Sequence, residues 1–111
     1  MRRATMLLVT MAAMMALFAA ATYAGTIIGT GQDEILYGYN GNDTIYGRGG
    51  DDEIYANSGP GANVLKGGPG DDYIDALDDD TRDTINGGDG YDTCNGDKGD
   101  EFKRCEDVHK N

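Results

Sequence analysis

Serine and histidine occur once each in the 111 residues, as Ser58 and His109, so no nucleophile–base pair of the hydrolase kind can be assembled. Basic residues are scarce too: 9 Lys and Arg face 20 Asp and Glu, a formal charge of −11. A positive face for nucleic acid or an anionic membrane surface is therefore missing. Large apolar residues are sparse beyond the first two dozen positions. Residues 25–111 hold 13 Ile, Leu, Val and Phe among 87, with 7 basic and 20 acidic side chains, a balance of −13. So few apolar residues beside so much charge is the composition of disorder, and it excludes an ordinary hydrophobic core. No helix-length apolar periodicity exists after Gly25. Either the chain does not fold alone, or something other than apolar burial holds it.

What the body of the chain lacks is concentrated at its start. Arg2 and Arg3 precede an apolar run from Met6 to Ala21, and Thr22-Tyr23-Ala24 places small residues one and three positions before Gly25. Basic start, short apolar stretch and small-residue end are the build of a cleaved export signal over residues 1–24. The run is shorter than the roughly 20 residues that a membrane span needs. A secreted, extracellular protein without membrane insertion is expected, its mature form starting at Gly25. Cys94 and Cys105 suit an oxidising compartment. A disulfide between them would close a short span and contribute roughly 3 kcal/mol; two reduced structural thiols are the alternative. Paired, they would staple a C-terminal cap over residues 103–111.

Between these ends lies a repeat. The pattern Gly-x-Asp-x-(apolar) occurs as Gly31-Gln-Asp33-Glu-Ile35, Gly41-Asn-Asp43-Thr-Ile45, Gly50-Asp-Asp52-Glu-Ile54, Gly70-Asp-Asp72-Tyr-Ile74 and Gly90-Tyr-Asp92-Thr-Cys94. It recurs with substitutions as Gly61-Ala-Asn63-Val-Leu65, Thr81-Arg-Asp83-Thr-Ile85 and Lys98-Gly-Asp100-Glu-Phe102. The steps between units are 10, 9, 11, 9, 11, 9 and 8 residues, room for one turn and one short strand. Read three residues upstream, Gly67-Gly-Pro-Gly-Asp-Asp72 and Gly87-Gly-Asp-Gly-Tyr-Asp92 match G-G-x-G-x-D in full, and 38–43 and 47–52 match closely.

Over residues 28–102 the chain resembles the RTX, or haemolysin-type, calcium-binding repeat family. The resemblance implies an all-β fold, a parallel β-roll or right-handed β-solenoid, with about eight short strands in two facing sheets and Ca²⁺ in the turns. The repeat domain is expected over residues 25–102. Ile35, Ile45, Ile54, Leu65, Ile74, Ile85, Cys94 and Phe102 are expected to point inward, a core one side chain thick. The family's toxin and protease activities are not implied for this chain.

The spacing accounts for calcium chemistry. Alternate units share an edge of the roll, so Asp33, Asp52, Asp72 and Asp92 form one column and Asp43, Asn63, Asp83 and Asp100 the other. Neighbouring turns lie about 4.8 Å apart, and calcium–oxygen distances are about 2.3–2.6 Å, so one ion can touch two turns. Main-chain carbonyls, those of Gly31, Gly50, Gly68, Gly70, Gly88 and Gly90 on the first edge, would complete its shell. Oxygen-only donors favour Ca²⁺ over zinc or copper. The first edge is the regular one and is expected to hold about three ions, between 33/52, 52/72 and 72/92. The second lacks glycine at 78–83 and carries Asn63 and Lys98 at pattern positions, so it is expected to be filled in part or not at all. Without metal, each stacked pair of like charges repels by about 0.9 kcal/mol even at water's dielectric. Folding is thus expected to require calcium.

Paired carboxylates can serve a hydrolase, but their regular recurrence on turns makes them ligands first, and no enzymatic activity is expected. Tyr37, Tyr39, Tyr46, Tyr55, Tyr73 and Tyr91 lie near strands and turns. They suit packing on strand surfaces; the alternative is an extracellular adhesion or matrix protein whose calcium-loaded roll offers tyrosines such as Tyr46 and Tyr55 to a protein or glycan.

Overall fold

The computed structural model describes residues 25–56, 61–78 and 82–111. The expected export signal, residues 1–24, lies outside them, as do Ser58 and parts of the turns at 58–63 and 78–83. No helix occurs among the described residues. Ten strands follow one another: β1 (Thr26–Ile28), β2 (Ile35–Tyr37), β3 (Thr44–Tyr46), β4 (Glu53–Tyr55), β5 (Val64–Lys66), β6 (Tyr73–Asp75), β7 (Thr84–Asn86), β8 (Thr93–Gly96), β9 (Glu101–Lys103) and β10 (Asp107–Lys110). Odd strands form one sheet in the order β1-β3-β5-β7-β9, and even strands a second in the order β2-β4-β6-β8-β10. Every pairing is parallel, as in β3–β5 with Ile45 opposite Leu65 and β4–β6 with Ile54 opposite Ile74. The all-β parallel β-roll expected above is the fold.

Strands of three residues expose two side chains and bury the middle one. The buried residues therefore stand in single file. One column is Ile27, Ile45, Leu65, Ile85 and Phe102, the other Leu36, Ile54, Ile74, Cys94 and Val108. Ile45, Ile54, Leu65, Ile74, Ile85 and Cys94 are fully buried. Phe102 is half-buried and Val108 exposed, as befits end rungs.

Two expectations need correction. The described residues hold ten strands rather than about eight, because β1 precedes the first repeat unit and β10 forms within the expected tail, pairing with β8 at Val108 opposite Cys94. The inward residue of β2 is Leu36, 1 % exposed, and not Ile35, which is half-buried on the outer face. A turn of six residues, 29–34, separates β1 from β2, the length of the turns at 47–52, 67–72 and 87–92. Burying Ile35 would shorten it to five and break the match, and a shift of one residue exchanges the two faces of a strand.

Candidate metal centre

The turns on one edge of the roll are 29–34, 47–52, 67–72, 87–92 and a short last one, 104–106. Each of the first four ends in a buried acid, giving a column Glu34, Asp52, Asp72 and Asp92. The column is threaded by hydrogen bonds between coils. The Glu34 N–H donates to Asp52 Oδ1 (3.0 Å), Asp52 N–H to Asp72 Oδ1 (2.8 Å), Asp72 N–H to Asp92 Oδ1 (2.8 Å) and Asp92 N–H to Glu106 Oε1 (2.7 Å). Each aspartate thus satisfies one carboxylate oxygen. The other, Oδ2 of Asp52, Asp72 and Asp92, is buried without a hydrogen-bond partner.

Asp33 stands elsewhere than expected. It is exposed and begins an outer column, accepting the Asp51 N–H at 2.7 Å, as Asp51 accepts the Asp71 N–H and Asp71 the Tyr91 N–H, each at 2.8 Å. Glu34 holds the inner position, for the same reason that Leu36 replaces Ile35. Its carboxylate, at the first rung, folds back on the Thr30 N–H and hydroxyl (2.8 and 2.6 Å).

The space beside each orphaned oxygen is lined by a carbonyl of the following turn. A Cβ on Gly47 would fall 2.6 Å from Asp52 Oδ2 and 2.8 Å from the Gly67 oxygen. At Gly29 the neighbours are Glu34 Oε1 (2.5 Å) and the Gly47 oxygen (2.6 Å), and at Gly67 they are Asp72 Oδ2 and the Gly87 oxygen (2.7 Å). A cradle lined by two oxygens repeats from turn to turn, and only glycine leaves it open. It fits a hard cation with oxygen ligands. Among the described residues no three acidic, histidine or cysteine side chains converge on one point, so such a cation would draw mostly on main-chain oxygens. The carbonyls of Gly47, Gly67 and Gly87 were not among the expected donors. Of the six that were, the Gly50, Gly68 and Gly70 oxygens face Gly70, Gly88 and Gly90 of the next coil; a Cβ on Gly88 would lie 2.6 Å from the Gly68 oxygen. Gly31 borders no such cradle.

Electrostatics point the same way. Burial, reinforced by neighbouring acids and opposed by the donated N–H groups, pushes the carboxyls of Asp52 and Asp72 up to about 7 and that of Asp92 up to about 6. Carboxylates so placed call for a cation.

The opposite edge differs. Its turns run 38–43, 56–63, 76–83 and 97–100, unequal in length. The thread continues: Asp43 N–H to Asn63 Oδ1 (2.9 Å), Asn63 N–H to Asp83 Oδ1 (2.7 Å) and Asp83 N–H to Asp100 Oδ1 (3.0 Å). Here the second oxygens are mostly taken. Asp43 Oδ2 accepts the Tyr39 N–H (2.8 Å) and Asp100 Oδ2 the Asp97 N–H (2.7 Å), while the Asn63 amide reaches Asp78 and the Gly61 carbonyl. Asp83 Oδ2 alone of this column is buried without a partner, and burial beside Asp78 and Asp100 raises its carboxyl to about 7.

The Cys94 and Cys105 sulfurs lie within bonding distance, their Cα atoms 6.1 Å apart. Tyr37 and Tyr55 stack on the outer face of the even sheet at 5.1 Å, with Tyr73 beside them at 6.0 Å. Tyr46 lies on the odd sheet under the Lys66 ammonium, so Tyr46 and Tyr55 share no face.

No curated protein and no solved structure matches the chain. A family model of the RTX calcium-binding nonapeptide repeat matches in four copies, over residues 28–60, 57–80 and 77–100. Each match spans turns whose closing acids stand in the two columns, and together they cover well over half the sequence: the chain belongs to the RTX calcium-binding nonapeptide repeat family.

Proposed function

We propose that this protein is an exported calcium-loaded β-roll that folds when its ions bind, without catalytic activity of its own. The observation that carries this is the row of buried, unpartnered Oδ2 atoms on Asp52, Asp72 and Asp92. Three ions would lie between turns 29–34 and 47–52, 47–52 and 67–72, and 67–72 and 87–92: Asp52 and Asp72 would be carboxylate ligands beside the carbonyls of Gly67 and Gly87, and Glu34, on giving up its bonds to Thr30, beside that of Gly47. Bound calcium neutralises the column; the chain's residues hold the turns at the spacing that lets two of them share an ion. The second edge takes at most one ion at Asp83, since its remaining oxygens are engaged. Export rests on the pattern of residues 1–24, and a Cys94–Cys105 disulfide fits the oxidising exterior.

Circular dichroism in chelator, then in millimolar calcium, tests the proposal. At about pH 8, where the column's carboxyls are ionised, a disordered spectrum turning strand-rich on calcium addition is expected; a strand-rich spectrum in chelator at that pH would overturn calcium-dependent folding.

The row of Tyr37, Tyr55 and Tyr73 favours a second reading, in which the even sheet presents an aromatic strip to a glycan or protein in an adhesive role. Binding to glycan-coated surfaces, gained only in calcium and lost on replacing Tyr37 and Tyr55 by Ala, would support it. Equal binding by that variant would sink it.

A further inference from the structure

We propose that the short turn 104–106, beyond the matched repeats, completes a fourth calcium site with turn 87–92, and that the Cys94–Cys105 bond controls it. This rests on the calcium reading above and names a site and a control that the repeat pattern does not contain.

The last turn has three residues where its neighbours have six, and no glycine. Its residues nevertheless take the repeat's places. The Gly87 N–H donates to the Lys103 carbonyl (3.0 Å), as the Gly67 N–H donates to that of Asn86 (2.9 Å), so Arg104 stands where Gly87 stands one coil earlier. Arg104 adopts a positive φ of 54°. A Cβ on Gly87 would fall 2.5 Å from the Arg104 carbonyl oxygen and 2.6 Å from Asp92 Oδ2, the same pairing of carboxylate and next-turn carbonyl that lines the upstream cradles. Asp92 is fully buried and its Oδ2 has no partner. Glu106 accepts the Asp92 N–H, the place aspartate takes elsewhere in the column, and its extra methylene spans the shortened turn. The Arg104 guanidinium does not fill the cradle. It is exposed and bonded to the Asp89 carboxylate of the facing turn, which holds its charge away and latches the two turns together.

Cys105 lies between these two groups. Bonded to Cys94, the last fully buried member of its core column, it ties the turn to β8. Released, the turn would be held by the Arg104–Asp89 pair, the main-chain bonds of the Glu106 and Asp107 N–H groups to the Asp92 carbonyl, and the pairing of β10. Cutting the bond would free the Arg104 carbonyl to leave the cradle, and the terminal ion with it. Because linkage is reciprocal, the bound ion would also protect the disulfide from reduction.

Calorimetric calcium titration of the purified oxidised protein, the same protein reduced with a phosphine, and the Asp92→Asn and Cys105→Ser variants tests this. The oxidised wild type is expected to take up one ion more than each of the other three, which should agree among themselves. Asp92→Asn keeps the disulfide and the oxygen that accepts the Asp72 N–H, so its count stands even if Cys105→Ser fails to fold. Equal counts for oxidised wild type and Asp92→Asn would overturn the site, while equal counts for oxidised and reduced wild type would overturn the control by the disulfide. In both cases normal uptake by the repeat turns leaves the calcium reading intact. No uptake by the oxidised wild type at millimolar calcium would overturn that reading and this one together.

Discussion

Asp52, Asp72 and Asp92 each engage one carboxylate oxygen with a main-chain N–H and leave the other buried and bare. An unfolded aspartate titrates near 3.8, whereas burial places the first two near 7 and the third near 6 in the metal-free fold. Between those values the folded chain holds more protons than the unfolded one. Its metal-free stability is therefore greatest below about pH 4 and is lost as pH rises through about 7. Calcium needs the ionised groups, so its affinity runs the other way and falls with acidification. Circular dichroism in chelator should show strand signal growing from about pH 8 to about pH 4, while calcium titrations over the same range should weaken. Gly67 offers a second check. It has no positive φ, yet its Cβ would meet Asp72 Oδ2 and the Gly87 oxygen, so Gly67→Ala acts by filling a cradle. Loss of one bound ion, counted by calorimetry, is the expected result.

Turns and strands set the register, and here a mutant pair discriminates. Leu36→Ala should destabilise the calcium-loaded roll by about 2–4 kcal/mol in chemical denaturation, as core truncations do. Ile35→Ala, on the outer face, should cost under about 1 kcal/mol. Most of the architecture was legible from Gly-x-Asp-x-apolar, since that pattern places turn, acid and buried residue at once, from Ile45 to Cys94. It faltered at the first unit because Asp33-Glu34 and Ile35-Leu36 are chemically doubled, and either member of each pair satisfies the pattern. The spacing of core residues resolves it: Ile27, Leu36, Ile45 and Ile54 follow at intervals of nine. β10 was hidden for another reason. Asp107–Lys110 has neither glycine nor the acid spacing, and it is a strand because β8 offers it an edge in register. The carbonyls of Gly47, Gly67 and Gly87 could not be singled out from residue types, because every residue has a carbonyl and only the stacking of coils aims these into the cradles.

At the scale of the whole molecule, the strands of the described residues pair with those of neighbouring coils, so stability is a sum of similar local terms. Three ions would take the balance over residues 25–111 from −13 to −7, and a fourth to −5. Each ion shared by two turns joins the fate of those turns, and calcium uptake should be cooperative along the edge. The single-file core also has a mechanical consequence. With no thickness through which load can spread, a roll pulled by its ends should yield one coil at a time, as a zip does. The coils from Ile45 to Leu65 and from Leu65 to Ile85 comprise 20 residues each, so each should lengthen the chain by roughly 60–65 Å on yielding, and the shorter end coils, 18 residues from Ile27 to Ile45 and 17 from Ile85 to Phe102, by less. Optical-tweezer traces should show steps of these lengths whose force rises with calcium concentration, and a disulfide at Cys94–Cys105 would make the last coil the one that holds. The protein would then work as a tether whose stiffness is set by the calcium around it.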